Sequence, residues 1–156
     1  MKSRTFVSIL ILVLVVLIIA GSYATAENEH DKKAQSVIAK NGKIKIPTGE
    51  INDGKAHFYY ITLDSTKIVF FLLMDNDEVI HAAFDACRSG SCGSPRSRYS
   101  QDGDYIVCYH CGDRVQESQI TIGQGSCPPA SLDQTYGRFY VTITLADLEQ
   151  GKRFFI

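Results

Sequence analysis

Residues 68–87 read IVFFLLMDNDEVIHAAFDAC, and this stretch decides the fold. Ile68 to Met74 is a continuous apolar run, too short to span a membrane. Its β-branched and aromatic residues suit a central strand buried on both faces. Asp75-Asn76-Asp77 turns the chain, and Glu78 to Phe84 returns. Two such runs about a polar turn predict a β-hairpin. The second arm delivers the chain directly into Cys87.

Strand signals continue on both sides. Lys43 to Ile46 alternates polar and apolar until Pro47 stops it. Asn52-Asp53-Gly54 turns the chain into Ala56–Leu63, and Asp64-Ser65-Thr66 turns it again. Gly137 to Leu145 alternates, which places Phe139, Val141, Ile143 and Leu145 on one face. Leu145 to Gln150 predicts one helical turn, and Arg153 to Ile156 a last short strand. The expected fold is mainly β: a single antiparallel domain, sandwich or barrel-like, with two cysteine-bearing loops at one end. Rigid sheets position such loops well.

The amino terminus has three parts. Lys2 and Arg4 give a positive start, Phe6 to Ala20 is apolar but for Ser8, and Ala24-Thr25-Ala26 offers a small-residue cleavage site. These are the parts of a secretory signal peptide, with cleavage expected after Ala26. Gly21 to Ala24 extends the apolar run, so an uncleaved membrane anchor is the alternative. In both cases the domain lies outside the cytoplasm, at the periplasmic or extracellular face, secreted or anchored. The expected division is residues 1–26 as signal or anchor, 27–42 as polar linker and 43–156 as the domain. The chain carries 16 basic and 17 acidic side chains. That balance excludes a nucleic-acid footprint, which needs a strong basic excess. No phosphate-binding glycine loop, serine elbow, H-E-x-x-H or Ca²⁺ loop occurs, so no enzymatic activity is expected.

All five cysteines, Cys87, Cys92, Cys108, Cys111 and Cys127, lie between Phe84 and Pro129. The first four form two short pairs, C-x4-C and C-x2-C. Between the pairs, the turn Gln101-Asp102-Gly103-Asp104 precedes the apolar run Tyr105-Ile106-Val107, which brings the second pair back beside the first. Four thiolates from two loops hold zinc, a single iron or an iron–sulfur cluster. Cys87, Cys92, Cys108 and Cys111 are the expected ligands, with Cys127 as a further candidate. An iron–sulfur cluster, a single iron, zinc and copper all suit such a set.

Two other chemistries compete. Export favours structural disulfides, which would make the protein a non-catalytic structural or interaction module. Thiol–disulfide exchange at Cys108-Tyr109-His110-Cys111 is disfavoured, because redox C-x-x-C pairs open helices and this one follows a strand. Asp85, two residues before Cys87, is expected to accept a loop N–H. His110 is expected as an exposed loop residue near the metal, and His57, His81 and Met74 as structural. Arg88, Arg96 and Arg98 make the first loop basic. Gly112, Gly123 and Gly125 suit tight turns about the site.

The order F-D-A-C, a second cysteine, Tyr99 before Gln101-Asp102-Gly103-Asp104, V-C-x-x-C-G and G-x-G-x-C-x-P resembles the FtrD-like family, described as membrane iron–sulfur-containing proteins. Ile46-Pro47, Asp53-Gly54-Lys55 and Asp147-Leu148-Glu149 fit the same pattern. The resemblance covers roughly residues 43–156. Here the first pair is C-x4-C where the family has C-x2-C, and Ser126-Cys127-Pro128 stands where the family has G-C-N. The resemblance implies one-electron transfer or metal handling in iron uptake, beside a membrane iron permease or periplasmic redox and metal-binding proteins. The cysteine spacing is also similar to that of Rieske domains, whose two loops carry C-x-H and C-x2-H. An all-thiolate version would have a lower reduction potential.

Overall fold

The computed structural model describes residues 34–89, Cys92 and residues 98–156. The expected signal or anchor, its cleavage site and Arg96 lie outside those residues. Among the described residues no helix is long and apolar enough to cross a membrane.

The predicted hairpin is the centre of the molecule. Strand β4 (Thr66–Met74) pairs antiparallel with β5 (Ile80–Cys87), with Phe70 opposite Phe84 and Met74 opposite Ile80. Asp75 builds the turn. Its Oδ1 accepts the N–H groups of Asp77 and Val79 at 3.0 and 2.9 Å, and its Oδ2 meets His81 Nε2 at 2.8 Å. Burial alone would push this carboxyl up; the hydrogen bonds from His81 and the two N–H groups outweigh it and hold it below its ordinary value.

Strand β3 (His57–Leu63) pairs antiparallel with β4. A two-residue β1 (Gln35–Ser36), inside the expected linker, pairs parallel with β3. Later in the chain, β9 (Pro129–Ser131) closes the other edge against β5. The resulting sheet has the order β1-β3-β4-β5-β9. Two three-stranded sheets cover it. One is formed by β10 (Thr135–Tyr136), β11 (Tyr140–Thr144) and β2 (Lys43–Pro47). The other is formed by β6 (Tyr99–Asp102), β7 (Tyr105–Cys108) and β8 (Arg114–Gln116).

Alternation along β4 and β5 assigns each cover its core. Ile68, Phe70, Leu72, Ala82 and Phe84 face Ile44, Ile46, Val141 and Ile143. Phe71, Leu73, Ala83 and Cys87 face Tyr99, Ile106 and Cys108. A strand buried on both faces must be apolar at every position, which is why residues 68–74 read as an unbroken run.

The mainly β expectation holds, but none of the three sheets closes into a barrel. The reason is the doubly apolar central sheet, which takes a separate cover on each face instead of curling around one core. Two local expectations are also corrected. Arg153–Ile156 is not a strand. Helix α1 (Leu145–Gly151), opened by a Thr144–Asp147 capping box, runs on into a 3₁₀ turn at Lys152–Phe154. That turn sets Phe154 and Phe155 against Phe84, with ring centroids 5.9 and 6.2 Å away. Gly151 is required here, because a Cβ would collide with the Phe84 ring. Phe139 does not share the buried face of Val141 and Ile143. It stands 67 % exposed between β10 and β11.

Candidate metal centre

The sulfurs of Cys92, Cys108, Cys111 and Cys127 all lie within 4.8 Å of one another. Cys92 approaches Cys127 at 3.0 Å and Cys108 at 3.8 Å, and Cys127 approaches Cys108 at 3.5 Å. A tetrahedron of thiolates with metal–sulfur bonds of about 2.3 Å has edges of about 3.8 Å. The four sulfurs therefore fit one tetrahedral ion with small adjustments. No disulfide joins any of the five cysteines.

Each ligand position follows from the local fold. Cys108 ends β7 and opens a tight turn. Its N–H donates to Asp113 O, and Gly112 N–H donates back to Cys108 O, at 2.9 and 2.8 Å. Gly112 closes the turn at φ +73°, the left-handed region that glycine enters without strain. Cys111 is carried to the outside of this turn and is the exposed member of the four. Cys127 comes from the segment leading into β9. The pairing of Cys87 with Pro129 lays that segment beside the end of β5.

Two residues that the spacing argument passed over hold Cys127. Asp113 Oδ2 accepts its N–H at 2.7 Å. The Tyr99 hydroxyl donates to its carbonyl oxygen at 3.0 Å and lies 3.5 Å from its sulfur. Tyr99 is fully buried, and its own N–H is taken by Asp85 Oδ1 at 2.7 Å. Asp85 thus accepts a backbone N–H at the start of β6, as expected from its place two residues before Cys87.

Three of the four expected ligands are gathered, and Cys127 completes the group. Cys87 stands just outside it. Its sulfur meets Ser89 Oγ at 3.1 Å and also approaches Cys127. The pairing rule favoured Cys87 because it shares a short loop with Cys92. The long-range β5–β9 pairing that brings in Cys127 leaves no local spacing signal.

The thiols differ in how readily they ionise. Cys111 is held below its ordinary value, chiefly because Asp113 N–H donates to it. For Cys92 the Cys127 hydrogen bond pulls down, but burial and its bonds with Cys111 and Cys108 outweigh that and push it up to about 12. Cys127 is raised, first by burial and then by its hydrogen bonds with Cys87 and Cys92. A bound cation reverses this penalty by holding the thiolate forms.

The remaining residues lie outside the four-sulfur group. His110 is exposed in the turn beside Cys111. His81 is buried against Asp75, and His57 contacts Asp53 at 2.7 Å on the surface. Met74 ends β4 half-buried. Arg88 lies against Gly123, and Arg98 offers its carbonyl to Tyr109 N–H.

No curated protein and no solved structure matches the chain. A family model does match it over residues 51–155, under the description membrane iron-sulfur containing protein FtrD-like. That span contains all five cysteines, Tyr99 and Asp113, and on it the chain belongs to the FtrD-like family.

Proposed function

We propose that the chain is an electron-transfer protein of the outer membrane face, with one iron held by Cys92, Cys108, Cys111 and Cys127. The observation that carries this reading is the mutual approach of the four sulfurs within 4.8 Å. A cluster interposes further irons and sulfides between its ligands and needs them spread wider. Thiolate-bound iron supplies a one-electron couple.

The protein's own contributions support that use. Burial of Cys92, Cys108 and Cys127 keeps water from three ligands, while exposed Cys111 gives the site one edge open to a partner. The N–H of Asp113 on the Cys111 sulfur is a hydrogen bond of the kind that sets potential in thiolate centres, and the Tyr99 hydroxyl places a dipole 3.5 Å from the Cys127 sulfur. The proposed role is transfer or metal handling, without catalysis. In iron uptake the partners would be an iron permease or a periplasmic redox or metal-binding protein.

The test is iron and acid-labile sulfide per chain after anaerobic purification. One iron without sulfide is the expected result. Iron with stoichiometric sulfide would keep the electron-transfer role and replace the single ion by a cluster. Colourless protein lacking both iron and titratable thiols would replace the reading with a disulfide-stapled interaction module.

A further inference from the structure

We propose that the outer face of the β2–β11–β10 sheet docks on an anionic phospholipid surface. The proposal is independent of the metal centre. Alternation buries Ile44, Ile46, Val141 and Ile143. It leaves Lys43, Lys45, Tyr140 and Thr142 on the opposite side, with Lys45 opposite Thr142 across the β2–β11 pair. Lys43 and Lys45 also line a groove of about 610 Å³ with Ile38, Lys40 and Asn41.

Charge identifies the occupant. Residues 38–47 and 134–144 contain Lys40, Lys43, Lys45 and Arg138 and no carboxylate, in a chain with more acidic than basic residues. The carboxylates nearest in sequence are Glu50, Asp133 and Asp147, and Asp147 is engaged in the capping box with Thr144. The cations are interleaved with rings. Lys45 Nζ lies 5.9 Å from the Tyr140 centroid, and the Arg138 guanidinium 5.6 Å from that of Phe139. Tyr136, Phe139 and Tyr140 are at least half exposed, and Ile38 is 80 % exposed. Basic side chains mixed with aromatic rings are what lodges at the headgroup level of a bilayer.

The course of the chain favours lipid over an acidic protein. Lys40 follows Ala34 by six residues, and the chain's long apolar run, Phe6 to Ala20, lies on that same side in sequence. The family is described as membrane iron-sulfur containing proteins. A lipid-facing sheet would let the domain itself meet the membrane.

The test uses the full chain in phosphatidylglycerol vesicles doped with a photoactivatable phosphatidylglycerol, with labelled peptides mapped by mass spectrometry. Labels are expected in residues 38–47 and 136–142 and to be sparse in residues 99–116. Lys43→Gln with Lys45→Gln should cut labelling of 38–47 by about fivefold for each charge removed. A loss at least as large is expected for the unaltered protein in phosphatidylcholine vesicles, which lack the attraction for all four cations. Circular dichroism of the double variant must match the parent. Labelling spread evenly over 38–47 and 99–116, or unchanged by lipid charge and by the double substitution, would overturn the proposal and leave an acidic protein as the candidate for this face.

Discussion

The central sheet presents one face, which carries Phe84, to Phe154, Phe155 and the aliphatic side chains of β2 and β11, and the other to Tyr99 and the sulfurs. Both faces are equally dry. They are held differently. The first is filled by apolar packing alone, which is cohesive without any ligand. The second contains small thiols, and its loops are tied by side chain–backbone hydrogen bonds from Asp85, Asp113 and Tyr99. The difference teaches that the apolar face is a scaffold, while the proposed socket lies on the thiol face.

Removing the metal should separate the two faces most. Chelation is expected to accelerate hydrogen exchange across β6, β7 and β8 while β2 and β11 keep their protection, read by exchange mass spectrometry. Equal acceleration in both would dissolve the comparison. Acid should act in the same sense. With the Cys92 thiol up at about 12 and Cys127 raised as well, both hold protons at neutral pH when metal is absent. Metal must displace those protons, so affinity should fall as pH falls, by about tenfold per pH unit for each proton displaced. A pH-independent metal titration would contradict thiol ligation.

Phe84→Ala breaks the scaffold instead. The ring is buried and packs against Phe154 and Phe155, so the expected loss is about 3–5 kcal/mol of unfolding free energy. Denaturant melts of metal-loaded protein would measure it. A loss under about 1 kcal/mol would mean that this face is not the scaffold.

Asp75→Asn sits at the hairpin that feeds both faces. It weakens two N–H acceptances and the partner of buried His81, at a cost of about 1–3 kcal/mol. The sign with pH follows from the depressed carboxyl. Its contribution is complete above the ordinary carboxylate range and is lost as pH falls through its lower folded value. The stability difference between parent and variant should therefore shrink in acid, as seen in melts at pH 7 and pH 3. Tyr99→Phe is the smallest change. It deletes the hydroxyl at Cys127 and should cost about 1 kcal/mol. With the hydroxyl dipole gone from 3.5 Å of the Cys127 sulfur, the reduction potential should fall, as voltammetry would record.

The scaffold was largely legible in the sequence, because a doubly buried strand must be apolar throughout and residues 68–74 are. The same logic misplaced Arg153–Ile156. Its apolar residues serve Phe84 from a 3₁₀ turn, and four residues cannot distinguish that from a strand. Phe139 was misplaced because alternation was extended past the point where Gly137 and Arg138 turn the chain. The region of the candidate site was legible, because all five cysteines lie between Phe84 and Pro129. Cys108 and Cys111 belong to one local turn and could be paired from spacing. Cys127 could not, since its place depends on β9 pairing with β5 some forty residues earlier in the chain. Tyr99 and Asp113 were hidden for the same reason. Their partners are distant in sequence, and only the assembled fold brings them together.

The central claim is that the socket is formed by Cys92, Cys108, Cys111 and Cys127, with Cys87 as a neighbouring thiol. The direct measurement compares bound iron in Cys127→Ser and Cys87→Ser, purified anaerobically side by side. Cys127→Ser should lose its iron and Cys87→Ser should retain most of it. Full iron in Cys127→Ser with none in Cys87→Ser would contradict the assignment.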